Sequence, residues 1–162
     1  MAHIGAAGTD VFLSGILHSI SGIDHLVTMF GLGLWISFLK KTQAWRMSVA
    51  SIAMLLLGMS LGLSGFAVPL METLNTLSLP VLGLMIVLKM RLPILSDMAI
   101  VGLFAVLHGY AHGLEMLVTS PAIPYAVGLV SAGFLLQLTG YTIGSLFIRR
   151  AWAIEVSGQV PS

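Results

Sequence analysis

The 162-residue chain contains no cysteine. That absence removes disulfides, thiolate metal ligands and cysteine nucleophiles in one step. Charge is nearly as scarce, with Asp, Glu, Lys and Arg at 8% of residues, against roughly 25% in a soluble domain. So few charges cannot coat a surface that faces water. A water-soluble enzyme, a nucleic-acid binder and a disordered tail are therefore excluded. The net charge of +1 carries no pull toward polyanions. No Gly-x4-Gly-Lys-Ser/Thr phosphate loop occurs, so ATP is not the chain's own energy source.

What fills the chain is apolar: 57% hydrophobic residues, 18 glycines, 10 methionines and a mean hydropathy of +1.03. The solvent this composition suits is the lipid bilayer. Crossing ~30 Å of hydrocarbon takes about 20 apolar residues, and such runs fall near Val11–Leu39, Met47–Phe66, Leu74–Leu88, Pro93–Met116 and Pro124–Ile148. The reading is all-α, a polytopic transmembrane helix bundle of five or six spans, with residues 1–162 as a single transmembrane domain. The first run, roughly 43 Å if helical throughout, is too long for an upright span. It either tilts steeply or breaks near Ser19–Gly22, and a break folded into a hairpin would make six crossings.

Lys40, Lys41 and Arg46 follow the first run, Lys89 and Arg91 the third, and Arg149 and Arg150 the fifth. Short cytoplasmic loops collect such residues, so these loops and the carboxyl terminus are placed in the cytoplasm. The Pro69 and Pro121 loops then face outward, as does the amino terminus in the five-span form. Met1-Ala2-His3 leaves no room for a secretory leader, so a leaderless or mature chain is expected. Ala151–Ser162 reads as a short polar end.

An ionisable group at membrane depth costs several kcal/mol, about 2.5–3.5 for a central Asp, and is a functional-site hypothesis by default. Two clusters of them interrupt the apolar runs. His108, His112 and Glu115 stand at i, i+4 and i+7, on one helix face within about 40°. Imidazoles at i and i+4 can close on one divalent ion, and the carboxylate one turn on can supply a third ligand. Gly109 and Gly113 leave the neighbouring surface bare for close approach of another helix. The plain structural alternative is that these imidazoles bond backbone or Ser groups between helices.

The other cluster is His18-Ser19-Ile20-Ser21-Gly22-Ile23-Asp24-His25. On a continuous helix His18 and His25 lie about 10 Å apart along the axis, too far for one ion, and Asp24 points away. A break at Ser21-Gly22 lets Asp24 and His25 open a new half-helix. Unwound backbone of this kind lines ion sites in transporters; a polar turn at the membrane surface is the alternative. Both clusters fall in the outer halves of their spans, the placement expected for uptake.

Imidazole with carboxylate and without thiolate suits Ni²⁺, Co²⁺, Zn²⁺ or Cu²⁺ and disfavours Mg²⁺ and Ca²⁺. Met29 and Met116 would admit a softer ion such as Cu(I), though Met is more often filler. His3 with a free amino terminus is a further, weaker Cu²⁺ or Ni²⁺ ligand.

These two clusters resemble the paired motifs of the HupE/UreJ family of hydrogenase and urease accessory proteins. His18-x5-Asp24-His25 is similar to the first, and Leu107-His108-Gly109-Tyr110-Ala111-His112-Gly113-Leu114-Glu115 to the second, with Leu107 where Phe is usual. The resemblance implies a nickel or cobalt permease of the bacterial inner membrane, not an enzyme, and no cofactor beyond the transported ion. It implicates His18, Asp24, His25, His108, His112 and Glu115 as metal ligands. A homo-oligomer is compatible with it. Members usually begin with a leader and a His-rich mature start, which His3 fits. Many carry a further carboxy-terminal span, and no run for one follows Arg150.

Two other readings stand beside it. Gly62-Leu63-Ser64-Gly65 matches the Gly-x-Ser-Gly of rhomboid-type intramembrane proteases, with His108 or His112 as base. A sensor or accessory subunit would bind the metal without moving it, using the same ligands. A weak echo between Gly22-Ile23-Asp24 and Gly113-Leu114-Glu115 suggests an inverted repeat. Tyr110 and Trp35 either line the path or pack at the interface.

Overall fold

Apolar runs in lipid fold as helices, since a helix satisfies its backbone internally. The computed structural model describes residues 3–65, 68–90, 92–116 and 121–158, apart from the side chains of 3–7, 72 and 150–158. In chain order the helices are α1 (His3–Ser21), α2 (Ile23–Ile36), α3 (Lys41–Leu63), α4 (Met71–Val87), α5 (Ile94–Met116) and α6 (Ala122–Gly158), with no strand among the described residues.

The expected break in the first run is at Gly22, where the chain turns by 76° between Gly8–Ser21 and Ile23–Ile36. One residue leaves helical geometry, at φ −74° and ψ 106°. Its neighbours lose little, because Gly22 N–H still donates to His18 C=O at 3.0 Å and Leu26 N–H to Gly22 C=O at 2.9 Å. Asp24 then falls in the first turn of α2, where free N–H groups favour a carboxylate.

Among the described residues three helices, α3, α5 and α6, are long and apolar enough to cross a membrane, and the bent α1–α2 pair makes a fourth if taken as one span. The protein is a multi-pass membrane protein. The Leu74–Leu88 run forms α4, whose apolar stretch Thr73–Val87 rises only about 22 Å, short of the hydrocarbon thickness. Where a polar end was expected after Arg150, α6 continues to Gly158, since residues 149–157 contain no Gly or Pro to stop a helix. Outward faces carry leucines such as Leu57, Leu61, Leu135 and Leu146, a surface suited to lipid rather than water.

Glycines decide which helices touch. A Cβ on Gly58 or Gly62 of α3 would fall on the Val106 or Tyr110 carbonyl of α5, and one on Gly109 or Gly113 on the Leu55 or Met59 carbonyl of α3. The two helices therefore meet backbone to backbone through paired Gly-x3-Gly faces, as small residues permit in lipid. Along α6, Gly128 meets Phe12 of α1 and Gly140 meets Phe30 of α2. Contacts rise in register in both pairs, so α2 runs parallel to α6 and α3 parallel to α5. Two apolar clusters fill the remaining space. One, with Trp35, Ile36, Met47 and Met85, closes one end, and the other, with Met29, Leu55, Met59 and Leu129, lies beside the polar residues. Trp35 is fully buried and donates from Nε1 to Met90 C=O at 3.2 Å, so it packs rather than lines a path.

The end of α4 closes with a Schellman motif: Met90 N–H donates to Met85 C=O and Lys89 N–H to Ile86 C=O, both at 3.0 Å. The residue that must be left-handed is Lys89, at φ 47°, where glycine is usual. Lys89→Gly is expected to stabilise the protein by about 1 kcal/mol, read as a higher thermal midpoint in detergent. An unchanged or lower midpoint contradicts the assignment.

Candidate metal centre

α5 presents His108 and His112 on the face adjacent to its glycines, both buried, with Glu115 half exposed one turn on. The 76° turn at Gly22 lays α2 so that His25, 1% exposed, enters between them. His25 Nδ1 lies 2.5 Å from His108 Nε2 and 3.0 Å from His112 Nε2. The ring centroids of the three are 4.6–4.9 Å apart. One nitrogen from each side chain converges on a common point, as a divalent ion requires. Tetrahedral bonds of about 2.1 Å set ligand nitrogens about 3.4 Å apart, so the closest pair must open by roughly 1 Å on binding.

A second group lies toward the surface. His18 Nε2 is 3.2 Å and His112 Nδ1 3.1 Å from the same oxygen, Glu115 Oε2. These three side chains also offer ligand atoms within reach of one ion. His112 is common to both groups and turns a different nitrogen to each: Nε2 to His25 and Nδ1 to Glu115. A carboxylate on Nδ1 holds the ring in the tautomer whose Nε2 lone pair faces the buried group, the arrangement usual behind metal-bound histidine. His18 and Glu115 are 37% and 51% exposed and the three other imidazoles are buried, so the pair forms a gradient from surface to interior.

Asp24 joins neither group. It is exposed and lines a cavity of about 100 Å³ with Thr28, Asn75 and His108. Beside it a larger recess of about 590 Å³ reaches Glu115, Tyr110 and Asn75. Tyr110 also accepts a hydrogen bond from Val68 N–H at 3.0 Å, which pins the α3–α4 connection over this recess. Asn75, whose buried Oδ1 has no partner among the described residues, lies on both cavities and carried no motif in the sequence. Asp97 was likewise not singled out. It is buried in the first turn of α5, where a carboxylate is at home, about 16 Å along the helix from His108.

The remaining candidates are placed as follows. Met116 and Met29 are both buried in the apolar cluster around Leu129, and Met29 also borders a small cavity together with His25. The side chain of His3 lies outside the described residues. Ser64 is exposed at the end of α3 and donates its hydroxyl to Leu61 C=O at 2.6 Å, the bond of a helix cap rather than of a nucleophile with its base.

A family model described as HupE / UreJ protein matches residues 1–161. Protein HupE of Rhizobium leguminosarum bv. viciae is 34% identical over 152 residues, covering 93% of this chain and 78% of that protein. No solved structure matches the chain.

Proposed function

Because the chain belongs to the HupE / UreJ family, we propose that it is a permease taking up Ni²⁺ or Co²⁺ across the bacterial inner membrane, with its basic loops in the cytoplasm. The observation that carries this reading is His112, which joins a half-exposed ligand group to a buried one through its two ring nitrogens. An ion arriving in the recess beside Glu115 meets His18 and Glu115 first, and His112 Nδ1 joins them as its proton moves to Nε2. Return of that proton to Nδ1 frees His112 Nε2 to take the ion with His25 and His108, without a return to water. Imidazole on both sides lets one bond form as another breaks, so the ion is passed on rather than trapped. Imidazole and carboxylate suit Ni²⁺, Co²⁺, Zn²⁺ and Cu²⁺ alike, and it is the family that narrows the choice to Ni²⁺ and Co²⁺. With no phosphate loop in the chain, the driving force is the ion's own gradient, a coupled ion or a partner that supplies energy. Asp24, on the cavity that reaches His108, raises the local cation concentration.

The test is uptake of radiolabelled Ni²⁺ by cells carrying the protein, with unlabelled Co²⁺, Zn²⁺ and Cu²⁺ as competitors. Uptake above vector, competed best by Co²⁺ and retained in Ser64→Ala, is the expected result. No uptake from protein shown to be in the membrane defeats the permease reading, and metal binding without uptake would mark a sensor or accessory subunit.

Glu115→Gln separates capture from passage. The amide still accepts a hydrogen bond from His112 but has lost the charge that attracts the ion. The half-saturating Ni²⁺ concentration is expected to rise about 10-fold with the maximal rate within twofold of wild type. An unchanged half-saturation would place Glu115 outside the capture step.

A further inference from the structure

Beyond His25, toward α6, the bundle holds a second polar region that neither ligand group includes. His25 spends Nδ1 on His108 and His112. Its other nitrogen, Nε2, is buried and has no hydrogen-bond partner among the described residues, in a side chain only 1% exposed. A buried ring nitrogen without a partner is costly to keep and calls for an explanation. Nε2 faces a cavity of about 10 Å³ bordered by Met29, Ser51, Gly133 and Gln137 and closed by apolar side chains such as Leu55, Leu129 and Phe134, the room of about one water-sized particle. The bareness of Gly133 makes that room: a Cβ there would come 3.5 Å from His25 Nε2 and 3.7 Å from Met29 Sδ. Across the cavity Gln137, 3% exposed, donates from Nε2 to Ser51 Oγ at 3.1 Å. Ser51 in turn donates to Ser48 C=O at 2.9 Å. The amide of Gln137 is thereby held with its oxygen as the end that can meet a cation.

We propose that this cavity is a further ion station, in which His25 Nε2, the Met29 thioether and the Gln137 amide oxygen take a divalent transition metal from the buried histidine group. The inference rests on the permease reading and extends it. His25 acts in the second transfer as His112 acts in the first, ligating through one ring nitrogen and then the other as its proton moves from Nε2 to Nδ1. The donor set weakens along the way, from imidazole and carboxylate to imidazole, thioether and amide. A station meant for release must hold its ion less tightly than the one before it, and neutral donors do so. Gly133 is the residue that keeps the station open.

Gly133→Ala tests this directly, because its methyl would sit in ordinary van der Waals contact with both donors and displace an ion without striking backbone. Met29→Leu and Gln137→Leu remove a donor each at similar volume, so the test does not rest on one variant folding. Purified proteins are compared for Co²⁺ binding, followed by its visible absorption and by equilibrium dialysis, and for Co²⁺ entry into proteoliposomes. The expected result is Co²⁺ affinity at the histidine groups within twofold of wild type and entry reduced at least 10-fold. Entry within twofold of wild type in Gly133→Ala, or in both donor variants, would leave the cavity a water pocket and overturn the station. Gln137→His supplies a readout independent of transport, since a strong ligand opposite His25 Nε2 should draw the ion into the station and change the visible absorption of bound Co²⁺ from that of wild type. An unchanged spectrum counts against the station. Wild-type protein that admits no Co²⁺ defeats the permease reading instead, and the Gln137→His spectrum then decides the station alone.

Discussion

His112→Ala is expected to abolish Ni²⁺ uptake, at least about 100-fold below wild type and indistinguishable from vector, while the protein remains in the membrane. Uptake and binding should fall together in this variant because His112 belongs to both groups. Without it the outer group keeps only His18 and Glu115 and the buried group only His25 and His108. Two pairs of donors remain where there were two triads, and neither completes a three-ligand site. His108→Ala, by contrast, leaves the His18, His112 and Glu115 group whole. It should stop uptake yet still bind Ni²⁺ in purified protein, where His112→Ala should bind none. The fold should survive either change, because the bundle is held by the apolar clusters and by glycine contacts in which neither His108 nor His112 takes part. More than a tenth of wild-type uptake in His112→Ala, or equal Ni²⁺ binding in the two variants, would remove His112 as the shared ligand.

The second large effect is expected from a residue that touches no ligand. Gly58→Leu introduces a side chain where a Cβ would already fall on the Val106 carbonyl and on Tyr110 N. Overpacking a tight core costs typically 1–3 kcal/mol, and backbone offers no rotamer by which to yield, so a loss of about 3 kcal/mol is expected. Thermal unfolding in detergent should show a clearly lowered midpoint, and Ni²⁺ uptake should fall with it, because α5 carries His108 and His112 on the face beside this contact. The control is Gly83→Leu on α4, where a Cβ would meet nothing within 4 Å, and whose midpoint should move by no more than about 0.5 kcal/mol equivalent. A wild-type midpoint in Gly58→Leu would show that the α3–α5 approach tolerates separation and that the site does not depend on it.

Much of this was legible in the residues. His108, His112 and Glu115 share a face because their spacing says so, and the structure sets them side by side. The break near Ser19–Gly22 follows from the length of the run and the glycine within it, and it falls at Gly22. Gly109 and Gly113 announced a close neighbour; that the neighbour is α3, with its own Gly58 and Gly62, was not announced. His25 and Asp24 were equal candidates for the interior, yet only His25 enters it. Their separation of about 100° around α2 is a property of the sequence, but the rotation of α2 about the Gly22 turn is not. Gln137, Ser51 and Asn75 carried no motif because each is a single polar residue on an otherwise apolar helix, and its meaning depends on the helix opposite.

Hydropathy and periodicity are local quantities, so the sequence by itself determined the solvent of this protein, its helices, the break and the two polar clusters. Which atoms of those clusters meet is a long-range matter. It is decided by a 76° turn at one residue and by glycine faces that let backbones touch. Only that packing turns His112 into a bridge between two ligand groups and leaves the second nitrogen of His25 facing a cavity of its own.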